Sequence, residues 1–216
     1  MPSPAPGPSP PAEAPRGPYD IVKRILDITL AGVGLVALSP LLVVVAALVK
    51  ATSRGPVLFH QTRAGRGGKP FILLKFRSMR EDAELRRREL AHLNEMDGPI
   101  FKMRHDPRIT RLGRFLRRSS LDELPQLFNV LRGDMSLVGP RPLPLDEAEH
   151  LPPEYQPRHG VRPGLTGLWQ VSGRNSLPYE RMMQLDLHYV AHRSLGLDLR
   201  ILLATIPAIL SGRGAF

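Results

Sequence analysis

Asp122 and Glu123 stand side by side behind three cations, Arg114, Arg117 and Arg118, in the stretch RFLRRSSLDELPQLFNVLRGDMSLVGPRP at 114–142. Acids placed among arginines point to chemistry on an anion that also needs a nucleophile or a metal ligand. The pair precedes an apolar helical pattern of Leu124, Leu127, Phe128 and Leu131, and the stretch closes on Gly133-Asp134 and a rigid Pro140-Arg141-Pro142. A plainer reading exists. Ser120-x-x-Glu123 fits a capping box, and Asp122 would itself serve as an N-cap, with Pro125 tolerated in the first turn. The arginines upstream exceed what a cap uses. A helix start beside guanidinium groups is also a ready phosphate site.

These residues need a platform, and the composition says where it stands. The chain has 216 residues, a formal charge of +10 and no cysteine. The length allows one domain with a real core. Lack of cysteine excludes disulfides, thiolate metal sites and a cysteine nucleophile. The basic balance suits nucleic acid, anionic lipid or phosphorylated substrates. Nucleic acid is disfavoured: there is no zinc-finger spacing, no basic helix with heptads, no RNP-like segment, and aromatics make up only 6%. A basic surface beside a membrane anchor accounts for the charge.

The anchor lies at 19–54. Ile28 to Val49 are 22 uncharged, mostly apolar residues, about 33 Å as a straight helix and enough to cross a bilayer. Ser39-Pro40 falls at mid-run, where proline removes a backbone bond, and Lys23, Arg24, Lys50 and Arg54 make both ends basic. Geometry alone leaves a kinked span and a helix that dips in and returns both open. The carbonyl freed by Pro40 needs a partner, and the Ser39 hydroxyl is in position to serve. Asp27 can pair with Lys23 or Arg24, or stand solvated.

The remaining segments are read in order. Residues 1–18 hold eight prolines and form a disordered or polyproline-like tail, without the features of a signal peptide. Residues 56–77 read as a β-hairpin turning within 64–69, with Lys75 and Arg77 on one face, where Lys75 can reach a substrate phosphate. The glycines of that turn match neither a P-loop nor a dinucleotide fingerprint. Residues 78–96 read as a solvated helix opened by a Ser78-x-x-Glu81 box, with Asp82–Arg86 and Glu84–Arg88 pairs. Lys102, Arg104, Arg108 and Arg111 lie in a basic loop, and His105-Asp106 reads as coincidence rather than a dyad. Residues 143–160 form a surface connection with a short helix. The glycines of VRPGLTGLWQVSGRN (161–175) allow close backbone approach, Arg162 and Arg174 sit where an anion could be held, and Trp169 belongs to the core or the interface. Residues 178–212 give two amphipathic segments that cover the core and lie along a membrane surface.

SSLDELPQLFNVLRGDMSLVGPRP resembles the bacterial sugar transferases, the small monotopic phosphoglycosyl transferases that start glycan assembly on a polyprenol carrier. KRILD (23–27), Ser39-Pro40, KFRSM (75–79), VRPGLTGLWQVSGR (161–174) and LDLHYV (185–190) extend the resemblance over about residues 19–212. It implies an α+β fold, mostly helical, with a small β-hairpin, an N-terminal re-entrant helix-break-helix membrane anchor and amphipathic interfacial helices. Its parts would be a tail at 1–18, the re-entrant helix at 19–54 broken at Ser39 and Pro40, and a catalytic domain at 55–216 on the cytoplasmic face of the bacterial inner membrane. The implied reaction moves a sugar-1-phosphate from a UDP-sugar to polyprenyl (undecaprenyl) phosphate and releases UMP. Asp122 would be the nucleophile, Glu123 with Asp122 would hold Mg²⁺, and Arg117, Arg141, Arg174 and Lys75 would bind substrate. The chain would be the minimal catalytic form of a family with longer members, and a homodimer is open. Two other readings stand beside this one: a non-catalytic basic scaffold at the membrane, and a glycosyltransferase releasing UDP, against which counts the lack of a Rossmann half.

Overall fold

The computed structural model describes residues 17–90, 92, 94–95, 103 and 105–212. Most of the Pro-rich tail, Lys102, Arg104 and the side chains of the Glu84–Arg88 pair lie outside the described residues. The fold is mostly helical with two small sheets, one an antiparallel hairpin and one a parallel pair.

Helix α1 (Pro18–Thr52) is 35 residues long, about 52 Å. It runs unbroken through Ser39 and Pro40, so the expected helix-break-helix appears as one helix with an internal proline. The reason is local. Pro40 deprives the Val36 carbonyl of its N–H, and the Ser39 hydroxyl donates to that carbonyl at 2.8 Å. Asp27, Ala31, Leu35, Val45 and Val49 are the buried stripe of α1, while Val33, Val36, Val43 and Val44 face outward. Asp27 pairs with neither Lys23 nor Arg24. Buried, it accepts the backbone N–H of Leu137 at 3.0 Å. Lys23 instead meets Asp198, and Arg24 donates to the carbonyls of Val130 and Leu131, the orphan acceptors at a helix C-terminus.

Strands β1 (Leu58–Ala64) and β2 (Pro70–Phe76) form the expected hairpin, in register from Leu58 opposite Phe76 to Ala64 opposite Pro70. Its turn is a 3₁₀ segment with Gly67 and Gly68 at positive φ. Helix α2 (Ala83–Glu89) starts later than the Ser78-x-x-Glu81 box requires, because Ser78 is used elsewhere: its hydroxyl accepts from Arg117 and its carbonyl from Thr110. The Asp82–Arg86 ion pair forms at 2.6 Å on the exposed face. Helix α3 (Arg111–Arg118) is capped by Thr110, whose hydroxyl accepts from Gly113 N–H.

Helix α4 (Gln126–Arg132) is the hub. Its fully buried Asn129 accepts from Leu74 N–H and donates to the Ile72 carbonyl, closing the free edge of β2. Losing that side chain would leave two buried backbone groups open, at roughly 1–3 kcal/mol each. Leu127 and Val130 of α4 pack with Ala31, Leu35, Leu73, Met135, Val138, Tyr189 and Ile201 in the main core. A parallel pair, β3 (Ser136–Val138) and β4 (Gly164–Thr166), escaped sequence reading because each strand has three residues. Gly139, Gly164 and Gly167 let these backbones touch; a Cβ at Gly164 would collide with Gly139.

Helices α5 (Leu145–Glu149), α6 (Leu168–Ser172), α7 (Tyr179–His192) and α8 (Leu195–Ser211) complete the body. Trp169 of α6 is a core residue, packed with Met182 and Met183 of α7. Helix α8 continues past Pro207 and is two-sided: Ile201 is buried while Leu199, Leu203, Ile206 and Leu210 are exposed.

Candidate active site

The cap reading of the carboxylate pair fails. Leu121–Glu123 is a 3₁₀ turn preceded by Ser120, whose φ is 56° and whose side chain caps nothing, and α4 starts only after Pro125. A left-handed serine is strained backbone, and the turn it makes presents both acids to one cavity. That cavity, about 420 Å³, is lined by Asp122, Glu123, Lys75, Arg117, Arg141 and Arg174 together. Every catalytic, metal and substrate-binding residue expected from the sequence is brought into it.

Different elements deliver them. Lys75 comes from β2, whose edge is fastened to α4 by Asn129. Arg117 comes from the last turn of α3, its Nε donating to Ser78 at 2.9 Å, while Arg114 and Arg118 remain exposed. Arg141 follows β3 and grips Glu123, with Nη2 to Oε1 at 2.6 Å and Nη1 to Oε2 at 3.4 Å. Arg174 stands at a φ of 51°, a second strained non-glycine, and its side chain has no partner among the described residues. Two cations went unnoticed in the sequence. Arg63 of β1 also lines the cavity, held by Gln61 and the Pro142 carbonyl. Arg158 lies deeper, buried against Asp186 at 2.6 Å and donating to the Arg141 carbonyl. No local pattern marks either; only the β1–β2 pairing and the packing of α7 bring them in.

The two acids differ. Glu123 is tied to Arg141, whereas the Asp122 carboxylate makes no hydrogen bond or ion pair among the described residues. Burial pushes Asp122 up to about 6, helped by the Glu123 charge and opposed by Lys75, Arg117 and Arg141. Burial also acts on Glu123, but Arg141, Lys75 and Arg63 overcome it and hold the group below its usual range. Lys75 is pushed down to about 7 by burial and by the Arg117 and Arg63 charges, and its ammonium lies 5.2 Å from the centre of the Phe59 ring. Beyond this pair no third acid joins a metal cluster among the described residues. A cation here would draw on Asp122 and Glu123 and take the rest of its shell from water or phosphate oxygens, the habit of Mg²⁺.

Other expected binders go elsewhere. Arg162 donates to the Gly133 carbonyl, so it fixes a turn rather than an anion. Arg108 is buried in a fork with Asp106, which removes Asp106 from any dyad with the exposed His105.

Residues 18–212 match the family described as bacterial sugar transferase. Galactosyl transferase CpsE of Streptococcus agalactiae is 44% identical over 196 residues, 90% of this chain and 43% of its own length. Exopolysaccharide production protein ExoY of Sinorhizobium fredii is 44% identical over 200 residues, 91% of this chain and 88% of its own. The UDP-glucose:undecaprenyl-phosphate glucose-1-phosphate transferase of Caulobacter vibrioides is 44% identical over 212 residues, 94% and 74%. The chain thus spans less than half the length of CpsE and nearly the whole of ExoY.

Proposed function

Because the chain belongs to the bacterial sugar transferase family, we propose that it transfers a sugar-1-phosphate from a UDP-sugar to polyprenyl phosphate. The observation that carries this reading is the gathering of an unpartnered carboxylate, Asp122, with Lys75, Arg117, Arg141 and Arg174 around one cavity. Such a cavity is charged for a diphosphate and holds one group free to attack it. Relatives named as undecaprenyl-phosphate glucose and galactose phosphotransferases supply the class of donor and acceptor.

In this reading an Asp122 oxygen attacks the β-phosphorus of the donor. The new bond joins aspartate to the sugar phosphate, the phosphoanhydride bond breaks, and UMP leaves with the electron pair. A phosphate oxygen of the polyprenyl acceptor then attacks the same phosphorus, and the aspartyl ester breaks to restore the carboxylate. Lys75, Arg117 and Arg174 offset the charge that phosphoryl transfer spreads over the oxygens. Arg141 holds Glu123 away from Asp122's approach. Mg²⁺ bound by the two acids would supply further charge neutralisation at the diphosphate.

The anchor reading is that the protein works from one face of the bacterial inner membrane, the cytoplasmic one. Both halves of α1 lie on the same body: Ala31 and Leu35 against α4, Val45 and Val49 against Phe76 and Leu116. If residues 28–49 crossed the bilayer, α3 would travel with them and take the exposed Arg114 and Arg118 into hydrocarbon. A helix that enters one leaflet, with its outward valines in lipid, avoids that cost.

The test is product release by the purified protein with Mg²⁺, UDP-sugars and undecaprenyl phosphate. UMP release by the wild type and none by Asp122→Asn is expected. Release of UDP would overturn the reading in favour of transfer of the sugar alone.

A further inference from the structure

A second compartment of about 270 Å³ adjoins the active cavity and shares Lys75, Arg117 and Arg63 with it. Its own wall contains Arg77, which is only 6% exposed. The Arg77 side chain spends one nitrogen, Nη2, on the carbonyl and hydroxyl of Ser53, both at 2.9 Å. Its Nε and Nη1 have no partner among the described residues. Two buried N–H-bearing nitrogens of a permanent cation are costly to leave open, and a structural tether to Ser53 needs neither of them. The backbone also makes room for this guanidinium: Gly55 sits at a φ of 98°, and a Cβ there would strike Nη1.

We propose that this compartment is the nucleotide subsite and that Arg77 binds the nucleoside monophosphate half of the donor. The inference rests on the phosphoglycosyl transfer reading and deepens it. Three observations select the nucleotide over the lipid acceptor. The active cavity, not this compartment, is walled by α8 through Leu202, Thr205, Ala208 and Ile209. The other side of α8 is the exposed apolar face, so the chain of a lipid phosphate has its route there. The second compartment is instead rimmed by polar residues of the β2–α3 connection, such as Arg80 and Glu81, as suits a water-soluble group. Finally, Lys75 and Arg117 stand on the shared wall, so a diphosphate laid across them would place its β-phosphorus beside Asp122 and its α-phosphate beside Arg77.

The test uses the full chain in lipid nanodiscs with Mg²⁺, and UMP as the probe. Arg77→Gln is expected to weaken UMP binding, and to raise the donor KM, by roughly ten- to a hundredfold. The KM for polyprenyl phosphate should stay within about twofold. Arg77→Lys, which keeps the charge and loses the fork, should fall between Gln and wild type, and it serves alone if the Gln variant does not fold. Ser53→Ala removes only the hydroxyl tether and should leave UMP affinity within about twofold. A wild type that binds no UMP overturns the proposal. So does an acceptor KM that rises while the donor KM holds, or a Ser53→Ala loss equal to that of Arg77→Gln. UMP binding that depends on Arg77 in a protein that releases UDP would sink the transfer reading and leave this subsite standing; UMP release with affinity indifferent to Arg77 would do the reverse.

Discussion

Asp122 and Asp198 are both 6% exposed, yet their surroundings are opposite. Asp198, at the start of α8, receives the hydroxyls of Tyr19 and Tyr189 at 2.8 and 2.7 Å and the ammonium of Lys23 at 2.9 Å. It joins the N-terminal end of α1 to α7 and α8, and its lone pairs are used. Asp122 has cations around it but no partner among the described residues. A buried carboxylate used for structure is closed on all sides, because an open one costs stability. A buried carboxylate used for chemistry must stay open toward its substrate and bear that cost.

The two aspartates should therefore separate in opposite directions when each is made Asn. At Asp122 the folded state holds the acid form more tightly than the unfolded chain does. Its contribution to stability is present at low pH and lost as pH rises through about 6. Asp122→Asn removes a penalty at pH 7.5, so the melting temperature should hold or rise while transfer falls by at least about a thousandfold. Asp198→Asn should leave Lys23 without its counter-charge and cost about 3 kcal/mol, a drop of roughly 6–12 °C. The folded fraction should keep its donor KM. Thermal melts beside UMP-release assays give both numbers, and a stability loss at Asp122 as large as at Asp198 would erase the distinction.

Much of the active cavity was legible because its residues belong to long local motifs. LDEL, KFRSM and GPRP each hold one or two of the lining groups, and charge type alone said they serve an anion. The hairpin was legible from its turn glycines and apolar alternation. What was hidden depends on long-range pairing. Asp27 looks like a solvated helix end in sequence, and only the arrival of β3 turns it into the acceptor for Leu137. Ser78 and Glu81 satisfy a capping pattern, but Arg117, far along the chain, claims the Ser78 hydroxyl. Arg158 and Asp186 are 28 positions apart and meet only when α7 packs, so neither reads as a partner of the other. Three-residue strands carry too little periodicity to be seen at all.

His159 sharpens the comparison from the neutral side. It is 4% exposed; it bonds to the backbone at Gly65, and its Nε2 has no partner among the described residues. A neutral ring can stay half open at small cost, but a charged one cannot, and burial together with Arg158 pushes this group down to about 4. Between pH 6.5 and 4 the unfolded chain binds the proton that the folded one refuses, so stability falls as pH falls through that window. The loss should reach about 2 kcal/mol by pH 5. His159→Gln should flatten that part of the stability curve, and denaturation of both proteins between pH 8 and 5 measures it. Equal slopes would mean that other groups set the acid limit.

The smallest effect is expected where a closed valence lies on the exposed apolar face of α1. Pro40 leaves the Val36 carbonyl without its helical donor, and the Ser39 hydroxyl takes over at 2.8 Å. Next to lipid that carbonyl has no water to turn to, so Ser39→Ala should cost about 1 kcal/mol, or roughly 2–4 °C. Pro40→Ala restores an N–H at the position that faces Val36, making the hydroxyl redundant. In that background Ser39→Ala should cost no more than about 0.3 kcal/mol, so the double-mutant cycle should return a coupling close to the whole single-mutant loss. Costs that simply add would show that the Ser39 hydroxyl contributes nothing to the continuity of α1 through its proline. The unbroken helix would then have to be held by its packing at Leu35 and Val45 on either side.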